Sequence, residues 1–243
     1  EKHIDVKKGM STANDQFYLK RWFEVSKINF SVFYGTDTKW FPVTKGGNFR
    51  KWYGNNEFVV NWENNGESLK SNPKSYIRSE SYYFVESLTY GYITVSNISF
   101  RYIPSGFLST AAGPIINNGN LFFFLGYLNS VVASSLIRIN SGNKVTFEVG
   151  EIQKTKCQLT NNKEIEELSQ QSMEISKSDW NSFEISWNFK KSELLNEQNS
   201  LNAAYSYWNK KVTENFFHLH ANEEELNRIF IDIYGLQDEL NPE

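Results

Sequence analysis

The chain has 243 residues, with 25 Lys/Arg against 28 Asp/Glu and a formal net charge of −3 at pH 7. Its 40% hydrophobic content supplies ample apolar surface for one large domain or two of ordinary size. One cysteine, Cys157, excludes an intramolecular disulfide and a cysteine-rich zinc site, and that usage fits a reducing cytoplasm.

The overall charge conceals an asymmetry. Residues 1–78 hold 13 Lys/Arg against 8 Asp/Glu (+5), residues 79–157 hold 5 against 4 (+1), and residues 158–243 hold 7 against 16 (−9). A polyanion approaches the front of such a chain and is repelled by its back. No charged segment followed by an apolar run opens the chain, so no signal peptide is expected.

In chain order, a helix is expected from about Asp15 to Val25. Short β-branched and aromatic runs follow at Phe30–Tyr34, Glu57–Trp62, Ile93–Val95 and Ile98–Ile103, separated by Gly, Asn and Pro clusters. Between the first two, the stretch Trp40 to Gly66 interleaves Lys45, Arg50 and Lys51 with Trp40, Trp52, Tyr53 and Trp62. It is punctuated by Gly46-Gly47 and Gly54-Asn55-Asn56. Cations suit a phosphate backbone, and aromatics and side-chain amides suit base edges. The bland alternative is that each Trp packs in a core and each Gly cluster is a hairpin turn.

No charged residue occurs between Tyr102 and Ile137. Within that span Leu121, Phe124, Leu125, Leu128, Val132 and Leu136 recur at helical spacing. Gly126, Asn129, Ser130, Ser134 and Ser135 interrupt it, which predicts a core helix over Leu121–Ile139 rather than a membrane span. After residue 160 the periodicity is helical throughout. Asn161 or Asn162 caps a helix through Ile165 and Leu168. An amphipathic helix runs through Leu201, Trp208, Val212 and Leu219, and Asn222 with Glu225 has the form of a capping box opening a further helix to Gly235.

Catalytic signatures are missing. The sequence has no phosphate-cradling Gly loop and no Gly-x-Ser-x-Gly elbow, and His3, His218 and His220 form no zinc constellation. This chain by itself is expected to be non-catalytic.

Two blocks carry a family resemblance. Lys8-Gly-Met-Ser-Thr-Ala-Asn-Asp-Gln-Phe-Tyr-Leu-Lys-Arg-Trp-Phe-Glu-Val25 and Lys39-Trp-Phe-Pro through Asn65-Gly66 resemble the region after the catalytic core of adenine-specific DNA methyltransferases of phage-exclusion (BREX, or phage-growth-limitation) systems. Related modification–restriction fusion enzymes share the pattern. Phe100–Phe107, Leu125–Val131, Phe147–Ile152, Ile175–Phe189 and Asn222–Leu240 are similar as well, so the likeness covers nearly the whole chain.

The resemblance implies an α+β protein. Residues 1–157 would be a mixed, largely antiparallel β target-recognition domain with packed helices, and residues 158–243 an all-α spacer or docking domain. It implies sequence-specific recognition of double-stranded DNA for an S-adenosylmethionine-dependent adenine methyltransferase. The Asn-Pro-Pro-Tyr-type and Phe-x-Gly-x-Gly-type motifs of the catalytic domain do not occur here, so the cofactor is expected in that absent domain. Phosphate contacts are expected from Lys39, Lys45, Lys51, Lys74 and Arg78, and base reading from Arg50, Tyr53, Asn55, Asn56 and Arg101. The expected partners are duplex DNA, the absent methyltransferase domain and other defence-complex subunits, with no membrane and a cytoplasmic location. A carbohydrate-binding β module and a protein-interaction scaffold are the alternatives.

Overall fold

The computed structural model describes residues 4–31, 38–117, 119–142, 144–195 and 198–243. In chain order the strands and first helices are β1 (Val6–Lys7), α1 (Asp15–Tyr18), β2 (Leu19–Arg21), β3 (Trp40–Thr44), β4 (Phe58–Asn61), α2 (Glu63–Lys70), β5 (Ser87–Tyr90), β6 (Phe100–Ile103), β7 (Leu108–Ser109) and β8 (Ile115–Ile116). Helices α3 (Leu121–Asn129), α4 (Val131–Ser141), α5 (Val149–Gln153), α6 (Lys163–Asn181) and α7 (Leu201–Tyr234) complete the chain. The fold is α+β, with two sheets in the first half and a helical second half.

One sheet runs β1-β8-β5-β6 and is antiparallel throughout. The other runs β2-β4-β3-β7, antiparallel except where β3 meets β7. Alternation along the second sheet sends Leu19, Phe41, Val43 and Val60 into a small core with Met10, Tyr18, Trp62 and Leu69. The opposite face carries Lys20, Trp40 and Asn61, because Trp40 pairs with Asn61 and Lys20 pairs with Val59.

The larger core joins the first sheet to the helices. Ile4, Leu88, Tyr90, Phe100 and Ile116 pack with Phe124 and Leu128 of α3, Val132 and Ile137 of α4, Ile165 and Met173 of α6, and Leu226 and Phe230 of α7. Asn129 at the end of α3 completes the edge of β6. Its Nδ2 donates to the Phe100 carbonyl and its Oδ1 accepts from the Phe100 N–H, each at 3.0 Å.

Four expectations are corrected. The first helix ends at Tyr18, because Leu19, Lys20 and Arg21 gain ladder partners on β4 that a helix would forgo. The Ile93–Val95 run forms no strand: Ile93 makes a single bridge to Thr146, and Val95 is exposed. The Leu121–Ile139 helix is two helices meeting at 71°, since Ser130 takes an extended backbone and its hydroxyl caps the Ala133 N–H. Asn222 opens no new helix; it is buried inside one 34-residue α7 and donates to Gln171 and Ser172 of α6.

The predicted cap at Asn162 is present, accepting from the Glu164 N–H at 3.0 Å. Most of the Phe30–Tyr34 run lies outside the described residues. Among the described residues no single helix is long and apolar enough to cross a membrane. The bent α3–α4 pair reaches that hydropathy only jointly, and its apolar residues lie in the larger core.

Candidate nucleic-acid interface

The basic, aromatic segment folds back against α6 and α7. Arg50 donates through Nε to the Tyr53 carbonyl at 2.8 Å, ion-pairs with Asp179 at 2.5 Å, and lies over the Trp180 ring. Lys51 Nζ sits 2.8 Å from Glu223 Oε2, while the buried Trp52 indole donates to Glu223 Oε1 at 2.5 Å. Gly54 has φ +123°, and a Cβ there would come within 2.6 Å of the Arg50 side chain and 2.9 Å of the Trp180 ring. Only glycine fits at this close approach.

In that packing the side chains expected to read bases are occupied by contacts within the chain. Arg101 is 1% exposed and donates to the carbonyls of Gly46 (3.3 Å) and Arg50 (3.4 Å). Burial, with the Arg50 charge nearby, pushes its pKa down to about 10. Tyr53 and Asn56 are buried too, and burial raises the Tyr53 phenol above its ordinary value. Asn55, at φ +59°, spends its amide on the Asn48 carbonyl at 2.8 Å. Tyr53, Asn56 and Arg101 therefore present no edge to a base, and Arg50 and Lys51 have acids as partners. The structure brings Arg50, Lys51, Tyr53, Asn55, Asn56 and Arg101 together as the joint between the sheets and the helices.

The remaining predicted cations lie elsewhere. Lys45 pairs with Asp15 at 2.9 Å and lies over the Phe58 ring. Burial works against ionisation of Asp15, but the Thr12 hydroxyl and Lys45 outweigh it and hold that carboxyl below its ordinary pKa. Lys74 and Arg78 are exposed beyond α2, with Arg78 over the Tyr76 ring. Lys39 pairs with Glu63 at 3.3 Å across a surface and opens on a cleft of about 560 Å³ beside α1.

This cleft was not foreseen as a unit. Lys20, Lys39, Trp40 and Asn61 form its β side, and Asn14, Gln16 and Phe17 its α1 side. Asn14 accepts from the Phe17 N–H at 3.1 Å and caps α1, which turns the Phe17 ring outward, 59% exposed. Among the described residues its lining contains two ammonium groups, three amides and two aromatic rings, with the Glu63 carboxylate beside Lys39 at its edge. The available signal was the alternation of Val59 and Asn61 against Phe58 and Val60, which sets the amide of Asn61 on the face away from the small core, although Val59 beside it is fully buried. The expected helix over Asp15–Val25 hid the rest, since it placed Lys20 outside any sheet.

No protein-family model matches the chain. It is 38% identical over 262 residues to the adenine-specific methyltransferase PglX of Lacticaseibacillus casei (strain Zhang), covering 99% of this chain. It is 35% identical over 246 residues to the adenine-specific methyltransferase BrxX of Escherichia coli O9:H4 (strain HS), covering 96% of this chain. The match spans only 22% and 19% of those relatives' lengths. Among solved structures, the Type IIL restriction-modification enzyme MmeI, in complex with DNA, superposes on the whole chain and on 34% of its own, with a TM-score of 0.57 at 12% identity. That last likeness is one of fold.

Proposed function

From the premise that this chain is homologous along its length to one segment of the adenine-specific methyltransferases PglX and BrxX, we propose that it is a DNA-recognition segment. It positions a longer enzyme on duplex DNA for methylation of an adenine. The observation that carries this reading is the cleft lined by Lys20 and Lys39 in the net-basic front of the chain, away from the acidic helical segment. Phosphate contacts fall to Lys20, Lys39, Lys74 and Arg78, which are at least partly exposed. Lys45 joins them if phosphate displaces Asp15. Methyl transfer and S-adenosylmethionine binding belong to the remainder of the longer protein, because neither motif for them occurs in this sequence.

Salt titration of duplex binding tests the reading. Contact with about four phosphates predicts that affinity falls roughly 100-fold as salt rises fourfold. A flat response, or equal binding to a neutral glycan panel, would count against DNA and for the carbohydrate alternative.

A protein partner is favoured by a separate observation. From Tyr205 to Ala221 no residue of α7 is buried, and Phe216 is 61% exposed. With α6, this half-helix forms an apolar groove of about 210 Å³ whose walls include Ile175, Trp208, Val212 and Leu219. Residues 158–243 carry −9, so DNA is disfavoured there, and the remainder of the longer methyltransferase is the proposed occupant. Association of this chain with that separately produced remainder should be lost in Phe216→Ser. Undiminished association in that variant would reject the groove as the docking site.

A further inference from the structure

We propose that the cleft beside α1 reads a base edge, and that Asn61 and Phe17 determine part of the DNA sequence recognised. This rests on the DNA-recognition reading and places its specificity in residues other than those of the 50–56 segment.

Asn61 is the observation that carries it. The residue is 7% exposed, lines the cleft, and uses Oδ1 to accept from the Glu63 N–H at 3.2 Å. Its Nδ2 makes no hydrogen bond with any described residue. Unlike the enclosed Nδ2 of Asn56, this amide nitrogen reaches the solvent of the cleft and is free to donate to a ligand there. With one lone pair of Oδ1 held by the backbone, the open Nδ2 is the foremost group that Asn61 presents to a base. It suits N7 or O6 of guanine, N7 of adenine or O4 of thymine, and opposes the amino groups of cytosine and adenine.

The neighbouring side chains fit the same ligand. Phe17 presents an aromatic ring to the opening, suited to a thymine methyl or a base edge. Lys20 lies on the same sheet face as Asn61 and donates to the Gln16 carbonyl at 2.8 Å, and Lys39 stands beyond it, paired among the described residues with the exposed Glu63. Two cations flanking a donor and a ring match a phosphate-flanked base edge. The weak surface ion pair at Lys39 yields readily to phosphate.

The test is selection of bound duplexes from a randomised library by the full 243-residue chain, followed by sequencing and titration. The wild type should enrich a short motif. Lys20→Ala and Lys39→Ala should weaken binding to all duplexes alike and each lower the salt slope by about one. Phe17→Ala should relax one position of the motif. Asn61→Asp, which keeps the acceptor for Glu63 and removes the donor, should shift one position away from guanine and thymine by about tenfold in relative affinity.

Circular dichroism and melting establish that each variant is folded. Should Asn61→Asp fail to fold, Phe17→Ala and Gln16→Ala, both at exposed positions, carry the test. The cleft assignment is overturned if these variants enrich the wild-type motif at wild-type affinity, or if the wild type binds every duplex alike with no motif. A wild type that binds no duplex defeats the DNA reading itself, and the cleft assignment with it.

Discussion

Glu223 holds two side chains of the 50–56 segment at once, Lys51 through Oε2 and Trp52 through Oε1. Trp52 has φ +70°, a left-handed conformation that a bulky side chain adopts only when its surroundings enforce it. Removing the carboxylate in Glu223→Ala leaves a buried indole N–H unpaired, at a cost of about 1–3 kcal/mol. Glu223→Gln, which keeps an acceptor, should cost less. Urea midpoints at unchanged slope measure both; equal loss in the two variants would mean that the indole bond contributes nothing.

Cys157 offers a second test at this scale. Burial pushes its thiol up to about 12, above the ordinary 9.0. The native state therefore keeps its proton where the unfolded chain releases one. This contribution to stability is full below about pH 8 and is lost as pH rises from about 9 towards 12. At pH 8.5 the native thiol should react with a disulfide reagent about 100-fold more slowly than in urea. Comparable rates would show that the site opens freely.

Elements declared themselves unevenly in the sequence. Helix α6 was legible from its cap at Asn162 and its apolar period, and β4 and β6 from their β-branched and aromatic runs. The end of α1 was not, because the helical spacing of its first residues continues into a segment whose partner, β4, lies some forty residues away. Periodicity carries no information about such a long-range ladder. The kink at Ser130 and the continuity of α7 through Asn222 failed for one reason: Ser and Asn caps have the same letters whether they end a helix or bond a neighbour.

Gly126 was equally silent. Its Cβ position lies 2.3 Å from Ser169 Oγ and 3.3 Å from both Ile165 and Leu226, so its lack of a side chain lets α3 approach α6 and α7. Ser169 Oγ has no hydrogen-bond partner and can turn away, so Gly126→Ala should change stability little. Gly126→Leu cannot be accommodated by one rotating hydroxyl and should cost about 1–3 kcal/mol or more. Thermal melts of the two variants decide this, and similar melting temperatures would refute the close-packing account.

At the scale of the whole molecule, charge and packing divide the chain differently. Charge separates a basic front from an acidic back near residue 157, which the sequence made plain. Packing crosses that point: Ile165, Met173 and Trp180 of α6 and Leu226, Phe230 and Ile231 of α7 share one core with Phe100, Phe124 and Leu128. Sequence could not show this, because the apolar stripes of α3 and α6 do not say which stripe they meet.

The acids of the back also reach the front, where Asp179 and Glu223 occupy Arg50 and Lys51. Those two cations looked like the centre of a binding site precisely because their partners are over a hundred residues away. A chain ending at residue 157 would lose both the acids and the helical half of the core, exposing Phe123, Phe124 and Leu128 of α3. Such a piece should bind a hydrophobic dye and melt without cooperativity. If it melts cooperatively with near-native aromatic circular dichroism, the front is an independent domain and the shared core is dispensable. In that case its freed Arg50 and Lys51 should raise non-specific duplex affinity above that of the whole chain, a comparison that separates the structural role of α6 and α7 from their electrostatic one.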